Sequence, residues 1–128
     1  MEQLRKALEA KDPEAVEALL ADDVVFSSPA IFKPYAGRDA TMVFLRAAMQ
    51  TFDEFRYVRT YSEEDGRGHV LMFAASVGGR ELEGADFIRL DEAGLVNEFR
   101  VMIRPMSGLV ALAEAMAPRV EAGMTSLS

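Results

Sequence analysis

The N-terminal part of the chain repeats apolar residues with the period of a helix. Apolar positions three and four apart predict a short helix over residues 3–10. A second helix is expected to begin at Asp12 and Pro13, because Asp12 can accept a hydrogen bond from the first turn and Pro13 suits the first helical position. Residues 40–52 are apolar almost all round, which predicts a third helix buried on more than one side.

The second half of the chain changes to a period of two, as half-buried strands do. A first, shorter strand is expected only after Asp22 and Asp23, which are taken to end the second helix. The five strands are predicted over residues 24–28, 55–61, 69–77, 81–90 and 95–104. Gly78 and Gly79 predict a tight hairpin between two of them.

Helices followed by a run of strands indicate an α+β fold, with about three N-terminal helices packed on one face of a sheet. A last, short helix is expected to be capped by Ser107, and residues 119–128 are expected to form a flexible tail after Pro118. A chain of 128 residues is long enough for one domain with a core, which we place at residues 1–118.

Composition excludes several classes of function. The chain has 14 Lys+Arg against 21 Asp+Glu, and its net charge of −7 argues against nucleic acids and anionic membrane surfaces as partners. The chain has no Cys and a single His, so its composition predicts no disulfide, no thiolate nucleophile and no metal site. No organic cofactor is implied. No signal peptide or membrane span is recognisable, so we expect a cytoplasmic protein.

Asp86 is the residue from which a function can be argued. Its neighbours at period two, Gly84 and Ile88, place it on the apolar face of the predicted strand 81–90. An ionised carboxylate is costly to bury there, so its pKa should rise unless a partner compensates. Asp86 is therefore either a pocket acid that protonates or polarises a carbonyl compound, or a buried carboxylate paired with an arginine or backbone groups for structural reasons.

Other candidate groups are less specific. Ser28 closes the first strand, where its hydroxyl can bind a ligand or cap the turn at Pro29. Tyr35 can offer its phenol to a ligand, but packing beneath its own loop is the favoured interpretation. The apolar side chains expected to line a ligand cavity are Phe26, Phe44, Met72, Phe99 and Val101.

Arginines and tyrosines alternate along the predicted strand 55–61. We interpret Arg56, Tyr57, Arg59 and Tyr61 as side chains of the outer sheet face, where arginines pair with glutamates across strands. The single histidine, His69, is interpreted as an exposed or edge residue.

Four segments, in this order and spacing, resemble the nuclear transport factor 2-like superfamily. They are residues 11–24, the pair Ser28-Pro29, residues 34–40 and residues 86–96. The resemblance extends from Leu4 to about Met106. It implies a curved antiparallel sheet that forms a cone around a pocket, and a homodimer through the outer face of that sheet. Phe87 and Met102, placed among the charges of that face, fit such an interface.

The resemblance also implies roles at single positions. Asp86 falls where ketosteroid isomerases of this superfamily have their oxyanion-hole aspartate, whereas Ser28 and Leu4 fall where their general base and oxyanion-hole tyrosine stand. Gly84 occupies the place of an arginine expected in the epoxide hydrolases. These departures argue against a typical ketosteroid isomerase or epoxide hydrolase. The SnoaL-like cyclases, which depend mainly on one aspartate in an apolar pocket, are the comparison that this sequence contradicts least.

Two hypotheses follow from these features. In the first, the chain is a cyclase- or isomerase-like enzyme that binds a small hydrophobic carbonyl compound and uses Asp86 as its acid/base. In the second, it is a non-catalytic ligand-binding or dimerising module in which Asp86 is structural. The sequence leaves open whether the protein is an enzyme.

Overall fold

A computed structural model describes residues 1–127. Its elements, in chain order, are α1 (Glu2–Glu9), α2 (Pro13–Ala18), β1 (Leu20–Ser27), β2 (Tyr35–Ala36), α3 (Arg38–Thr51), β3 (Asp53–Ser62), β4 (Gly68–Val77), β5 (Arg80–Leu90), β6 (Val96–Arg104) and α4 (Met106–Ser126). This order confirms the α+β class predicted from the sequence.

The first two helices form largely as their sequence predicts. The α1 helix buries Leu4, Ala7 and Leu8, and the Asp12 carboxylate accepts a hydrogen bond of 3.2 Å from the backbone N–H of Ala15 at the start of α2. The end of α2 was predicted too late, because β1 begins at Leu20 instead of residue 24. Extended backbone there lets one side of β1 bury apolar residues while its acidic pair stays exposed.

The third helix begins two residues earlier than its apolar pattern indicates. Gly37, with φ +100°, stands at its N-cap, and Asp39 lies in the first turn. The short strand β2 precedes Gly37 and pairs with β1, with Tyr35 opposite Phe26.

The six strands form one curved, open sheet in the order β2-β1-β6-β5-β4-β3. Every pairing is antiparallel except that of β1 with β6, which is parallel and places Phe26 opposite Phe99. The predicted sheet was antiparallel throughout. The difference arises because the chain leaves β1, builds α3 and the meander β3–β5, and returns beside β1 only with β6.

The β4–β5 hairpin confirms the prediction made from its two glycines. Gly78 and Gly79 have φ of +56° and +81°, the left-handed conformations that a two-residue hairpin turn requires. Along β4, every second residue from Leu71 to Val77 is buried, so one face of the sheet forms the core with the helices. We call this the inner face and the opposite one the outer face.

The C-terminal helix is longer than predicted. The α4 helix runs for 21 residues and continues through Pro118, so residues 119–126, predicted to be a flexible tail, are helical. Val120 and Met124 pack against the core, and Gly123 lies so close to Val43 of α3 that an added Cβ would be 2.7 Å from its Cγ1. This packing compensates for the helical hydrogen bond that Pro118 removes. Ser128 lies outside the described residues.

The start of α4 also differs from its prediction. Pro105, and not Ser107, holds the N-cap position.

No helix within residues 1–127 has both the length and the hydrophobicity needed to cross a bilayer. The cytoplasmic location stays a prediction.

Candidate active site

Asp86 lies on the inner face of β5, near the middle of the sheet. Its Cα pairs with Leu71 on β4 and with Val101 on β6, and the residue is only 5% exposed. The inward orientation inferred from period two is confirmed. A carboxyl group is therefore held between apolar neighbours on two adjacent strands, where water does not compensate its charge.

A tyrosine supplies the partner of this carboxyl group. The Tyr57 hydroxyl donates a hydrogen bond of 2.6 Å to Oδ2 of Asp86. Tyr57 lies on β3, so its side chain reaches across β4 to β5. No Lys or Arg of residues 1–127 forms an ion pair with Asp86. The arginine partner of the structural hypothesis is thus replaced by a neutral phenol.

The sequence analysis assigned Tyr57 to the outer face, and this was wrong. Tyr57 is buried, whereas Arg59 and Tyr61 are exposed. The pairing with β4 shifts register between Tyr57 and Arg59, so the alternation changes phase after Tyr57. The alternation of Phe55, Arg56 and Tyr57 alone, read without the residues beyond the bulge, would have placed Tyr57 inward with Phe55.

Burial sets the protonation of both groups. Desolvation raises the pKa of Asp86 from 3.8 to about 7, and the hydrogen bond from Tyr57 opposes part of that rise. The pKa of Tyr57 is raised well above its usual value, first by burial and then by the nearby charge of Asp86. Tyr57 therefore stays a hydrogen-bond donor, while Asp86 can gain or lose a proton near neutral pH.

One oxygen of Asp86 remains available. Oδ2 accepts from Tyr57, which is the only hydrogen-bond partner of this carboxyl group among residues 1–127. No fully enclosed side-chain nitrogen or oxygen of those residues lacks a partner. Oδ1 is therefore in contact with the cavity that Asp86 lines.

The cavity has a volume of about 320 Å³ and lies between the inner face, α3 and α4. Its walls are mostly apolar, and eight of the lining residues are aromatic, namely Phe26, Tyr35, Phe44, Phe52, Phe55, Tyr57, Phe73 and Phe99. The α4 helix adds Leu109, Leu112, Ala113 and Met116. Such a space suits a small, mostly apolar molecule that presents one polar group to Asp86.

Most of the side chains predicted to bind a ligand do line this cavity. They are Phe26, Ser28, Tyr35, Phe44, Asp86, Phe99 and Val101. Met72 does not, and its assignment was wrong. It lies between the buried residues Leu71 and Phe73, so its side chain points to the outer face.

Ser28 and Tyr35 are placed in their more ordinary roles. The Ser28 hydroxyl accepts hydrogen bonds from the backbone N–H groups of Ala30 (3.4 Å) and Ile31 (3.2 Å), so it caps the turn that follows β1. The half-buried Tyr35 packs its ring 4.5 Å from that of Phe44.

Gly84 explains how the aromatic wall beside Asp86 fits together. A Cβ at Gly84 would lie 2.5 Å from Cζ of Phe73 and 2.6 Å from the carbonyl oxygen of Met102. The ring of Phe73 thus passes over Gly84 and meets Tyr57 edge-on, with centroids 6.2 Å apart. This packing fixes Tyr57 and leaves no room for an arginine at position 84.

One of the cross-strand ion pairs expected on the outer face is present, whereas Arg56 and Arg59 form no ion pair within residues 1–127. Arg104 pairs with Glu83 at 2.6 Å across β6 and β5. His69 contacts the Ser62 hydroxyl at 2.7 Å, at the exposed end of the β3–β4 hairpin. Among residues 1–127, no cluster of three or more histidine or carboxylate side chains is arranged to hold a metal ion.

Comparison with known proteins agrees with this fold. The sequence model of the SnoaL-like domain family matches residues 1–99. A crystal structure of a steroid delta-isomerase from Pseudomonas aeruginosa is 40% identical, with a TM-score of 0.90 over 97% of this chain and 90% of that one. An uncharacterized Silicibacter pomeroyi protein with a cystatin-like fold is 36% identical, with a TM-score of 0.91 over 98% of this chain and 88% of that one.

A more distant likeness shows the fold alone. An epoxide hydrolase/cyclase-like enzyme of pyran ring formation in the polyether salinomycin is 19% identical, with a TM-score of 0.65 over 84% of this chain and 88% of that one. No curated protein sequence matches the chain.

Proposed function

The chain belongs to the SnoaL-like domain family, within the nuclear transport factor 2-like superfamily, and from this we propose that it is an acid/base enzyme of the isomerase or cyclase type. Its substrate would be a small, largely apolar carbonyl compound bound in the cavity. Asp86 would move the proton, without a metal or an organic cofactor.

The observation that carries the proposal is the buried pair of Tyr57 and Asp86. A carboxyl group bound to a phenol at 2.6 Å, with one oxygen facing an apolar cavity, has both protonation states accessible near neutral pH. A general acid/base works best when its pKa is close to the working pH. A purely structural carboxylate gains nothing from such a pKa.

The chemistry follows from the two states of Asp86. When ionised, Oδ1 can take a proton from a carbon beside the carbonyl group, and the electron pair of the broken C–H bond moves onto the carbonyl oxygen as an enolate. In a β,γ-unsaturated ketone this enolate is conjugated with the second double bond, and return of the proton to the γ-carbon gives the α,β-unsaturated isomer. If the enolate carbon attacks a second carbonyl of the same molecule, a C–C bond forms, and the new alkoxide takes the proton from Asp86. Tyr57 keeps its proton throughout and stabilises the carboxylate.

The relatives support this reaction class. The Pseudomonas aeruginosa relative named a steroid delta-isomerase is 40% identical over nearly the whole chain. Here, however, Ser28 stands where a second acid/base would be expected, and its hydroxyl caps a turn. The proposal therefore assigns both proton transfers to one carboxyl group.

A non-catalytic ligand-binding role is the second candidate. It is favoured by one observation, that Asp86 is the only carboxylate among the described residues that line the cavity. A single acid already bound to Tyr57 can serve simply to orient a ligand carbonyl by a hydrogen bond.

Exchange of substrate hydrogens for deuterium separates the two candidates. A panel of cyclic ketones, including β,γ-unsaturated ones, is incubated with the protein in D₂O, and loss of the α-hydrogen signals is followed by NMR. Because general acid–base catalysis contributes about 10²–10⁴-fold, Asp86→Asn should slow exchange by at least about 100-fold. The matched control is Asp65→Asn, an exposed carboxylate outside the cavity, which should exchange at the parent rate.

Two results would count against this proposal. Exchange that persists in Asp86→Asn would remove Asp86 from the chemistry. Ketones that bind without any catalysed exchange would favour the ligand-binding role.

A further inference from the structure

Lys11 is a second polar, charged side chain of the cavity lining, and the proposed chemistry does not use it. Among the described residues that line the cavity, it carries the only cationic side chain. It lies in the loop between α1 and α2, and it is exposed to solvent. The wall that contains it is otherwise apolar, with Leu8 and Phe52 as its neighbours in the lining.

The Lys11 ammonium is only partly satisfied by the protein. It donates a hydrogen bond of 2.7 Å to the carbonyl oxygen of Phe52, at the C-terminal end of α3. Within residues 1–127 it forms no ion pair. An ammonium has three donors, so two remain for water or a ligand. Arginines of the same helical layer behave differently, since Arg38 pairs with Asp22 and Arg46 with Glu17.

The backbone holds Lys11 in an unusual conformation. Its φ is +55°, in the left-handed region that non-glycine residues seldom occupy. The backbone N–H of Lys11 donates to the carbonyl oxygen of Leu8 (3.1 Å), and that of Asp12 donates to the carbonyl oxygen of Ala7 (3.0 Å). These two hydrogen bonds fix the loop in this shape. The side chain is thereby directed at the end of α3 and the adjacent cavity wall.

Aromatic rings connect Lys11 with Asp86. Lys11 contacts the carbonyl oxygen of Phe52. The centroid of the Phe52 ring lies 5.3 Å from that of Phe55, which lies 5.0 Å from that of Tyr57. Tyr57 in turn donates its hydrogen bond to Asp86. The cavity therefore presents an acid at one place, a cation at another, and an apolar wall between them.

We propose that the ligand is an amphipathic acid, whose carboxylate binds Lys11 at the rim of the cavity and whose apolar body carries the carbonyl group to Asp86. An anion is costly to bury in an apolar space, but at Lys11 it stays beside solvent and gains a charge-assisted hydrogen bond. This inference rests on the proposed function, because it names the substrate class of the same cavity.

Two fluorescent probes of similar size test the inference. 1-Anilinonaphthalene-8-sulfonate carries an anionic group, and N-phenyl-1-naphthylamine is its neutral counterpart. The parent chain should bind the anionic probe more tightly than the neutral one. Lys11→Met should lower the affinity for the anionic probe by about 10-fold, as expected for the loss of one hydrogen bond to a charged group. The neutral probe should bind Lys11→Met within about 2-fold of the parent, which also shows that the variant keeps its cavity.

Lys33→Met is the matched control, since Lys33 is exposed and lies outside the cavity lining. It should leave both affinities unchanged, and Lys11→Arg should keep the preference for the anionic probe. If both probes bind the parent equally well and Lys11→Met alters neither affinity, the inference is overturned while the proposed function stands. If neither probe binds the parent chain, the inference is overturned, and the deuterium exchange of cyclic ketones decides the proposed function separately.

Discussion

The inner and outer faces of β5 place acidic side chains in opposite environments. On the inner face, Asp86 is enclosed by apolar residues and contacts one neutral hydroxyl group. On the outer face, Glu83 is half exposed and pairs with Arg104. The two residues are three positions apart on one strand, so the sheet itself separates a carboxyl group enclosed by apolar residues from one that faces solvent and a cation.

Asp86 and Asp65 show the size of this difference. Burial raises the pKa of Asp86 to about 7. Asp65, in the exposed β3–β4 turn, has a pKa lowered to about 2, first by the backbone N–H of Arg67 and then by the Arg89 side chain. Both carboxylates accept hydrogen bonds, but Asp86 is buried and, within residues 1–127, forms no ion pair with a cation. The contrast teaches that here desolvation, more than hydrogen bonding, decides whether a carboxyl group can exchange protons near neutral pH.

The same contrast holds for neighbouring apolar residues. On β4, Phe73 is 1% exposed on the inner face and packs against the rings of Phe52, Phe55 and Tyr57, whereas Met72 faces outward. The inner face is therefore the part of the molecule on which stability and the geometry of the site both depend.

The largest predicted effect breaks the inner face. Phe73→Ala should lower the free energy of unfolding by about 3–5 kcal/mol, because it removes buried apolar surface and leaves a cavity beside Gly84 and Tyr57. Urea unfolding followed by circular dichroism measures the change. The Phe73→Ala substitution should also weaken the Tyr57–Asp86 hydrogen bond, because Phe73 holds the Tyr57 ring edge-on.

Met72→Ala is the control on the next residue of the strand. It should cost less than about 1 kcal/mol, because the residue is on the outer face and loses little burial. All three proteins are compared at one low concentration, so that contacts between molecules contribute least. Equal losses at the two positions would contradict the assignment of faces.

A second prediction sharpens the comparison of the carboxylates through pH. Asp86 has an unfolded pKa of 3.8 and a folded pKa of about 7. Below pH 3.8 both states are protonated. As pH rises towards 7, the unfolded chain loses this proton while the folded chain keeps it, so the free energy of unfolding falls. Above 7 the loss is complete, and at about 1.4 kcal/mol per pKa unit it amounts to a few kcal/mol.

Asp86→Asn removes this titration. Relative to the parent, the variant should therefore gain stability steadily between about pH 4 and pH 7 and no further above it, as urea unfolding at several pH values can measure. Asp65→Asn is the exposed control. Because the pKa of Asp65 is lowered, its contribution is lost as pH falls from 3.8 towards 2, in a different pH window. Parallel pH profiles for the parent and Asp86→Asn would mean that Asp86 is not desolvated as described.

Much of this fold could be predicted because local patterns and packing agree. The cap at Asp12, the glycine hairpin and the inward orientation of Asp86 each follow from two or three adjacent residues. The resemblance to the nuclear transport factor 2-like superfamily, carried by four short segments, then assembled these elements in the right order. The length of α4 was not predicted, because Pro118 is expected to stop an isolated helix. Here Val120 and Met124 hold the residues beyond Pro118 against the core, so the helix continues.

The site was only half predictable. Asp86 can be identified from the sequence because it is a carboxylate in an apolar strand. Its partner, Tyr57, lies 29 residues away on a strand that is not adjacent to β5. The bulge after Tyr57 changes the phase of β3, and no local pattern marks a bulge in advance. Met72 was misplaced by a single position, which on a strand exchanges the two faces.

The smallest effect on folding is expected on the outer face, where we propose that the chain forms a homodimer. Met72, Ala85 and Met102 lie in register across β4, β5 and β6, and Met102 is 54% exposed. Charged neighbours such as Arg104 and Glu83 give this row the mixed character of an interface between subunits.

Met102→Glu should change the free energy of unfolding of the isolated chain by less than about 0.5 kcal/mol, because the side chain already meets solvent. It should nevertheless reduce the mass measured by light scattering from that of a dimer to that of a monomer, since a dimer would bury the new carboxylate twice. Met106→Glu, at the 80% exposed start of α4, is the matched substitution away from this face and should leave the dimer intact. A parent chain that stays monomeric at every concentration, or a Met102→Glu dimer as stable as that of Met106→Glu, would mean that the outer face, unlike the inner one, needs no partner at all.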